Sequence, residues 1–185
     1  INVVTEKTNL PPKAQSFIAQ VIDINPVHQG FIENAIRKIT DEEAARFETY
    51  LSYCLDHEKL SLDYLAECYM TIVMDTLREQ VYFNKHKEYR HKSFADVASD
   101  VYFNDEYMKK YMYGLAVTGF LWPNHVDMYR FFFETLPKNT GGHYLEIGPG
   151  HGAYMMAAME RGDYDSFTGV DISETSISLT RSIIN

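Results

Sequence analysis

The chain has 185 residues, of which 45% are hydrophobic and 14% aromatic, so its composition is far from that of a disordered polypeptide. Its 17 lysines and arginines against 26 aspartates and glutamates give a formal net charge of −9. Such an excess of acid repels a phosphate backbone, and the densest basic stretch, residues 85–92, is short and interrupted. We therefore expect no nucleic acid partner.

No charged-then-apolar targeting pattern opens the chain, and the longest apolar run, residues 113–122, falls short of the roughly 20 residues that a bilayer requires. The two cysteines, Cys54 and Cys68, lack the paired spacing of a disulfide framework or a zinc site and are predicted to be reduced and buried. Together with the scattered histidines they complete no tetrahedral ligand set, so no metal site is predicted. We expect a soluble, cytoplasmic protein without membrane contact.

Residues 11–136 have the apolar spacing of several short helices. Thr40 and Glu43 stand at capping-box spacing before an apolar face, which predicts a helix start. Further starts are predicted at Ser61, Ser93, Asn104 and Pro123. The helix after Ser61 is predicted to face the core with Leu62, Leu65, Tyr69, Ile72, Val73 and Leu77. Residues 1–137 are thus interpreted as a mostly helical N-terminal domain that serves as a lid, a substrate domain or an oligomerisation surface.

Turn-forming residues at 137–142 mark the predicted boundary to a second domain, residues 138–185. Residues 143–148 and 167–172 are predicted strands, and the helix between them starts at Gly152 and ends at Gly162. Ser173 begins another helix. This βαβ order predicts two parallel strands in an α/β fold. Because an isolated pair of parallel strands is marginal in water, the sheet is interpreted as apparently truncated.

A glycine-rich turn follows the first strand, with the sequence Leu-Glu-Ile-Gly-Pro-Gly-His-Gly over residues 145–152. Glycines allow positive φ and let a ligand touch the backbone, while free N–H groups at a helix start favour a negative group. Asp171 follows Gly152 by 19 positions, near the offset at which an acid accepts hydrogen bonds from ribose hydroxyls. A triphosphate-binding loop is excluded because Ala153 and Tyr154 stand where lysine and serine are needed, whereas a dinucleotide site is not excluded by spacing.

This string, followed by Gly-Val-Asp-Ile-Ser, resembles the first two motifs of class I S-adenosylmethionine-dependent methyltransferases over about 30 residues. Glu146 distinguishes it from the dinucleotide pattern, which usually has an apolar residue there. The resemblance implies a Rossmann-like fold that binds S-adenosylmethionine and transfers its methyl group. The Tyr- and Phe-rich faces of the helical region favour a small-molecule acceptor over a polymer. It implies that Glu146 supports the methionine end, that Asp171 takes the ribose hydroxyls and that Ile172 lies along adenine. The cradle around the cofactor would be Gly148, Pro149, Gly150 and Gly152.

Two other functions stay open from the sequence: an NAD(P)-dependent oxidoreductase that uses the same loop, and a non-catalytic assembly module. The sequence identifies no catalytic base, since the family's later motifs would fall past Asn185, and the acceptor and the oligomeric state stay undetermined. His151 is interpreted as a solvated turn residue. The aromatic group at residues 129–133 with Trp122 is interpreted as core, with Trp122 or Tyr129 as candidates to face a ligand.

Overall fold

A computed structural model describes residues 10–185, except for the side chains of Ser99 and Asp100. The first nine residues of the predicted N-terminal domain lie outside the described residues. The fold is mixed α/β and dominated by helices. In chain order the helices are α1 (Pro12–Ile24), α2 (Gln29–Ile36), α3 (Asp41–Ser52), α4 (Leu62–His86), α5 (Phe94–Val97), α6 (Asp105–Leu121), α7 (Pro123–Thr135), α8 (Ala153–Arg161) and α9 (Glu174–Ile184). The strands are β1 (His143–Ile147) and β2 (Ser166–Val170).

The helix starts predicted at Thr40, Ser61, Ser93, Asn104 and Ser173 are confirmed by capping hydrogen bonds, and α7 begins at Pro123, as predicted, without one. Thr40 Oγ1 accepts from the Glu43 N–H at 3.1 Å, and Glu43 Oε2 accepts from the Thr40 N–H at 2.8 Å. These two bonds form the predicted capping box and satisfy donors that the first turn leaves free. Side-chain oxygens also accept from the first turns of α4, α5, α6 and α9, at Ser61, Ser93, Asn104 and Ser173.

The helical core forms where α4 and α6 pack against α1 and α3. A Cβ at Gly114 of α6 would overlap the carbonyl oxygen of Cys68 and lie 2.6 Å from Ile72 Cγ1, both on α4. The glycine therefore allows the backbones of α4 and α6 to approach closely. Cys54 and Cys68 are buried and free, as predicted. The core includes Phe17, Phe47, Leu51, Leu65, Tyr69 and Val117.

Two details of the helical region differ from the sequence prediction. Leu77 of α4 is 49% exposed, because α4 continues to His86 and its C-terminal half projects beyond the core. Phe131, interpreted as core, is 70% exposed on α7. In the described part of the chain, no helix combines the length and the apolar character needed to cross a bilayer.

Glu58 links the helical region to α9. It follows a π-helical turn, Tyr53–His57, and its carboxylate accepts hydrogen bonds from Tyr53 Oη at 2.9 Å and from Tyr113 Oη at 2.8 Å. Ser182 of α9 donates to the same carboxylate. Burial raises the pKa of Glu58, but the hydrogen bonds from Ser182, Tyr113, Tyr53 and His57 outweigh it and lower the pKa to about 2.

The two strands pair in parallel, with His143 opposite Ser166 and Ile147 opposite Val170, as the βαβ pattern predicts. One face of the pair packs on α8, where a Cβ at Gly169 would lie 2.9 Å from Met155 Cε. The opposite face is open to solvent, and Ile147 is 80% exposed. The α9 side chains Leu179 and Ile183 pack against the helical core. The division at residues 137 and 138 stays a prediction.

Candidate functional site

The loop between β1 and α8 has a left-handed backbone at three glycines. The φ angles are 74° at Gly148, 58° at Gly150 and 82° at Gly152. Side chains disfavour this region because Cβ crowds the carbonyl oxygen, so the loop needs glycine at all three positions. The chain can therefore reverse direction within five residues at the carboxyl end of β1, where open α/β sheets bind ligands.

The surroundings of these glycines assign them different roles. A Cβ at Gly152 would lie 2.8 Å from Thr180 Cα and 2.7 Å from Ile183 Cγ2, so Gly152 allows α8 and α9 to pack together. A Cβ at Gly148 would meet no protein atom within 4 Å. Gly148 therefore borders open space at the strand end, and of the three glycines it is the one whose position best suits contact with a ligand.

Asp171 holds the loop against the end of β2. Its Oδ2 accepts from the Gly150 N–H at 3.3 Å, and its Oδ1 accepts from the Ser173 N–H at 2.9 Å. Thr180 Oγ1 also donates to the Gly150 carbonyl at 3.1 Å. Because each carboxylate oxygen can accept more than one hydrogen bond, Asp171 keeps capacity for two ligand hydroxyls.

Pro149 lies in the loop after β1, and Ile172 follows Asp171 after the end of β2. Pro149 is buried, and a Cβ at Gly169 would lie 3.2 Å from its Cγ, so Pro149 packs the loop onto β2. Ile172 is 53% exposed and, together with Asp171 and Arg181, lines a cavity of about 410 Å³ beside α9. Asp171 and Ile172 thus lie together at an accessible surface.

The predicted free N–H groups of the glycine loop are largely occupied. The Gly152 N–H donates to the Pro149 carbonyl at 2.8 Å, and the Ala153 N–H donates to His151 Nδ1 at 3.2 Å. The Gly150 N–H donates to Asp171. The prediction that free N–H groups here favour an anion is therefore wrong for Gly150, Gly152 and Ala153, because the loop and Asp171 supply their acceptors.

Glu146 is half-buried on the face of β1 that packs on α8. Tyr144 Oη donates to Glu146 Oε2 at 2.8 Å. Burial raises the pKa of the Glu146 carboxyl, while the Tyr144 hydrogen bond opposes this effect. A partly desolvated carboxylate of this kind is stabilised by a nearby cation.

A second cavity, of about 520 Å³, lies between the helical region and the start of α8. We call it the interhelical cavity. Helices α3, α6 and α7 contribute Tyr50, Phe120 and Tyr129, and α8 contributes Tyr154. Tyr129 thus faces this cavity, whereas Trp122 donates its Nε1–H to Tyr69 Oη at 3.1 Å within the helical core.

Two histidines line the interhelical cavity, and the geometry defines the tautomer of each. Thr118 Oγ1 lies 2.6 Å from the Leu115 carbonyl oxygen and 2.7 Å from His125 Nδ1. A carbonyl can only accept, so the Thr118 proton goes to Leu115 and His125 Nδ1 carries the proton of the second bond. The remaining ring nitrogen of His125, Nε2, is therefore an acceptor.

His151 has the opposite tautomer. Its Nδ1 accepts from the Ala153 N–H, so its Nε2 carries the proton and is a donor. Burial, with a smaller contribution from nearby His125, lowers the pKa of His151 to about 4, and burial also lowers the pKa of His125. His151 lies in a turn, as interpreted from the sequence, but its ring is partly buried and hydrogen-bonded there, so the prediction that it is solvated is wrong. His151 lies two residues before Ala153, the first residue of α8, and next to the N-cap position at Gly152.

Comparisons with protein-family models, with curated proteins and with solved structures gave no match to this chain. In the described residues, no group of three or more His, Cys, Asp or Glu side chains is arranged to hold a metal ion. The features that bear on the function of the chain are therefore the geometry of the loop and the resemblance of its sequence.

Proposed function

We propose that the chain is an S-adenosylmethionine-dependent methyltransferase of class I, with β1, α8 and β2 forming part of a Rossmann-like cofactor site. The observation that carries the proposal is the open space at Gly148, whose N–H donates to the carbonyl of Val170, the residue before Asp171, at 2.7 Å. An adenosyl group needs such a place, where its ribose can reach a carboxylate and its other atoms can touch backbone.

In this proposal Asp171 accepts hydrogen bonds from the two ribose hydroxyls through the acceptor capacity that Gly150 and Ser173 leave free. Ile172, exposed beside the 410 Å³ cavity, lies along the adenine ring. Glu146 attracts the cationic amino-acid end, which offsets the desolvation of its own carboxylate. When bound, S-adenosylmethionine supplies a methyl group on a sulfonium, and the protein orients the acceptor and excludes water.

A nicotinamide dinucleotide fits the same loop less well. Its pyrophosphate needs free N–H groups at the start of the helix. Here the Gly152 and Ala153 N–H groups already donate to Pro149 and His151, and the Asp171 carboxylate takes the Gly150 N–H. At Gly150, Gly152 and Ala153 the loop therefore offers a pyrophosphate no free N–H group, which supports a phosphate-free nucleoside.

Calorimetry with S-adenosylmethionine, S-adenosylhomocysteine and NADH tests the proposal. We expect micromolar binding of both adenosyl amino acids and none of NADH. Gly148→Ala places a methyl group in the open space and is expected to weaken binding at least tenfold. Gly142→Ala is the matched control, since Gly142 has a φ of 81° and equally open surroundings but lies before β1.

Both alanine substitutions should lower the free energy of unfolding by a similar amount, about 1 to 2 kcal/mol, because each introduces a side chain at positive φ. A selective loss of binding in Gly148→Ala therefore reports on the site and not on folding. Binding of NADH with no binding of S-adenosylhomocysteine would reject the proposal in favour of an oxidoreductase. Equal binding by both variants would place the ligand elsewhere.

A further inference from the structure

The two cavity histidines offer one ligand group both an acceptor and a donor. Because their Nδ1 atoms are engaged by Thr118 and Ala153, the Nε2 atom of His125 is an acceptor and the Nε2–H of His151 is a donor. Both rings line the interhelical cavity. A hydroxyl group matches this pair, because it donates through its proton and accepts through its oxygen.

The other side chains that line the cavity indicate the shape and chemical character of the rest of the ligand. Two pairs of aromatic rings line the cavity, Tyr50 with Phe120 and Tyr129 with Tyr154, and in each pair the ring centroids are 5.5 Å apart. Flat aromatic molecules pack well between such rings. The volume of about 520 Å³ lies within the usual range of small-molecule sites.

The charged residues of the cavity lie where it opens. Glu160 is exposed, and the guanidinium of the partly exposed Arg46 lies 3.9 Å from the centroid of the Tyr129 ring. One positive and one negative group at the opening give no net preference for an ion. The interior groups, His125 and His151, have lowered pKa values and are neutral at physiological pH.

We propose that the interhelical cavity binds a small, uncharged aromatic molecule that carries a hydroxyl group, held between His125 Nε2 and His151 Nε2–H. If methyl transfer is the reaction of this protein, a step that rests on the proposed function, the hydroxyl oxygen is the methyl acceptor. The C–O bond then forms as the C–S bond breaks, its electron pair stays on sulfur to give the thioether, and the hydroxyl proton passes to His125 Nε2.

Gly119 provides a way to block the cavity without disturbing the fold. It lines the cavity on α6, and a Cβ there would meet no protein atom within 4 Å. Gly119→Leu therefore fills ligand space, and replacing a helical glycine also favours the helix. Gly30→Leu is the matched control, since Gly30 lies in α2 with equally open surroundings and lines none of this cavity.

The probes are 2-naphthol, naphthalene and 2-naphthoate, which share a ring system and differ in the hydroxyl and the charge. Titration in the absence of cofactor should show 2-naphthol binding at least tenfold more tightly than either analogue, because a buried polar group left unpaired weakens a complex by about this factor. Gly119→Leu should abolish binding of 2-naphthol, and Gly30→Leu should leave it unchanged.

His125→Asn tests the hydroxyl contact. Asparagine keeps an N–H that can donate to Thr118 but removes the Nε2 acceptor, so the tenfold advantage of 2-naphthol over naphthalene should disappear while naphthalene binds as before. The inference is overturned if the unmodified chain binds none of the probes, if Gly119→Leu binds 2-naphthol normally, or if naphthalene and 2-naphthol bind equally. None of these results bears on S-adenosylhomocysteine binding, so the two proposals fail separately.

Discussion

The Gly150 N–H donates to the carboxylate of Asp171 across 3.3 Å, so the loop after β1 and the end of β2 are joined by one hydrogen bond. The same carboxylate accepts from the Ser173 N–H at the start of α9. Asp171 is therefore both a structural acceptor and the proposed ribose ligand. Tests of its role have to separate stability from binding.

We predict that Asp171→Asn lowers the free energy of unfolding by about 1 to 3 kcal/mol, because the amide nitrogen that replaces one carboxylate oxygen cannot accept from the N–H facing it. It should also weaken S-adenosylhomocysteine binding at least tenfold. Asp165→Asn is a matched control, since Asp165 Oδ2 accepts from the Gly142 N–H at 2.7 Å near the amino ends of the strands. Urea denaturation and calorimetry on both variants make the comparison. Unchanged binding in Asp171→Asn would remove this residue from the site.

Gly152 and Gly162 both have positive φ but differ in their surroundings. We predict that Gly152→Ala destabilises the protein by more than about 3 kcal/mol, because its Cβ would meet the Thr180 backbone at 2.8 Å in addition to the strain at φ. Gly162→Ala, where a Cβ meets nothing within 4 Å, should lose only about 1 to 2 kcal/mol. Equal losses in urea denaturation would show that α8 and α9 do not pack as described.

Helix α6 has two glycines, Gly114 and Gly119, that also differ in their surroundings, and Gly114 lies where α6 crosses α4. Gly114→Ala should destabilise the protein by about 1 to 3 kcal/mol, because its Cβ would overlap the Cys68 carbonyl. Gly119→Ala should instead raise stability by up to about 1 kcal/mol, since alanine favours the helix and meets no atom. Thermal unfolding of both variants is the measurement. A stable Gly114→Ala protein would contradict the close approach.

The lowered pKa of Glu58 leads us to predict that the stability of the fold depends on pH. Its pKa is about 2 in the folded chain against an ordinary value of 4.5, although burial alone would raise it. The carboxylate therefore stabilises the fold above about pH 4.5, and this contribution is lost as the pH falls toward about 2. Glu58→Gln should be less stable than the unmodified chain at about pH 6, and the difference should shrink at about pH 3.

Glu134→Gln, which changes an exposed carboxylate on α7, is the control for this measurement. It should match the unmodified chain at both pH values. If the difference in the free energy of unfolding between Glu58→Gln and the unmodified chain is the same at both pH values, the hydrogen bonds from Tyr53, Tyr113 and Ser182 do not stabilise the ionised carboxylate.

Local features were predictable from the sequence because their causes lie within a few residues. Thr40 and Glu43 specify their capping box by spacing, and the turn residues around Gly148 and Gly162 bound β1 and α8. The parallel pairing of β1 and β2 was also predictable, since a helix between two strands normally returns the chain for parallel pairing.

Contacts between distant residues were not predictable. Ser182 and Glu58 are 124 positions apart, and no local pattern relates them. His125 and His151 come from a helix and a loop whose neighbourhood depends on how α7 packs beside α8. The occupied N–H groups of the loop were missed for a related reason, since His151 Nδ1 becomes an acceptor only in the folded turn.

A crystal structure with S-adenosylhomocysteine tests the central claim most directly. We predict that its ribose hydroxyls lie within hydrogen-bond distance of the Asp171 carboxylate, with the nucleoside against Gly148 and the adenine beside Ile172. A nucleoside bound away from Gly148 and Asp171, or crystals that stay free of it at saturating concentration, would contradict the account.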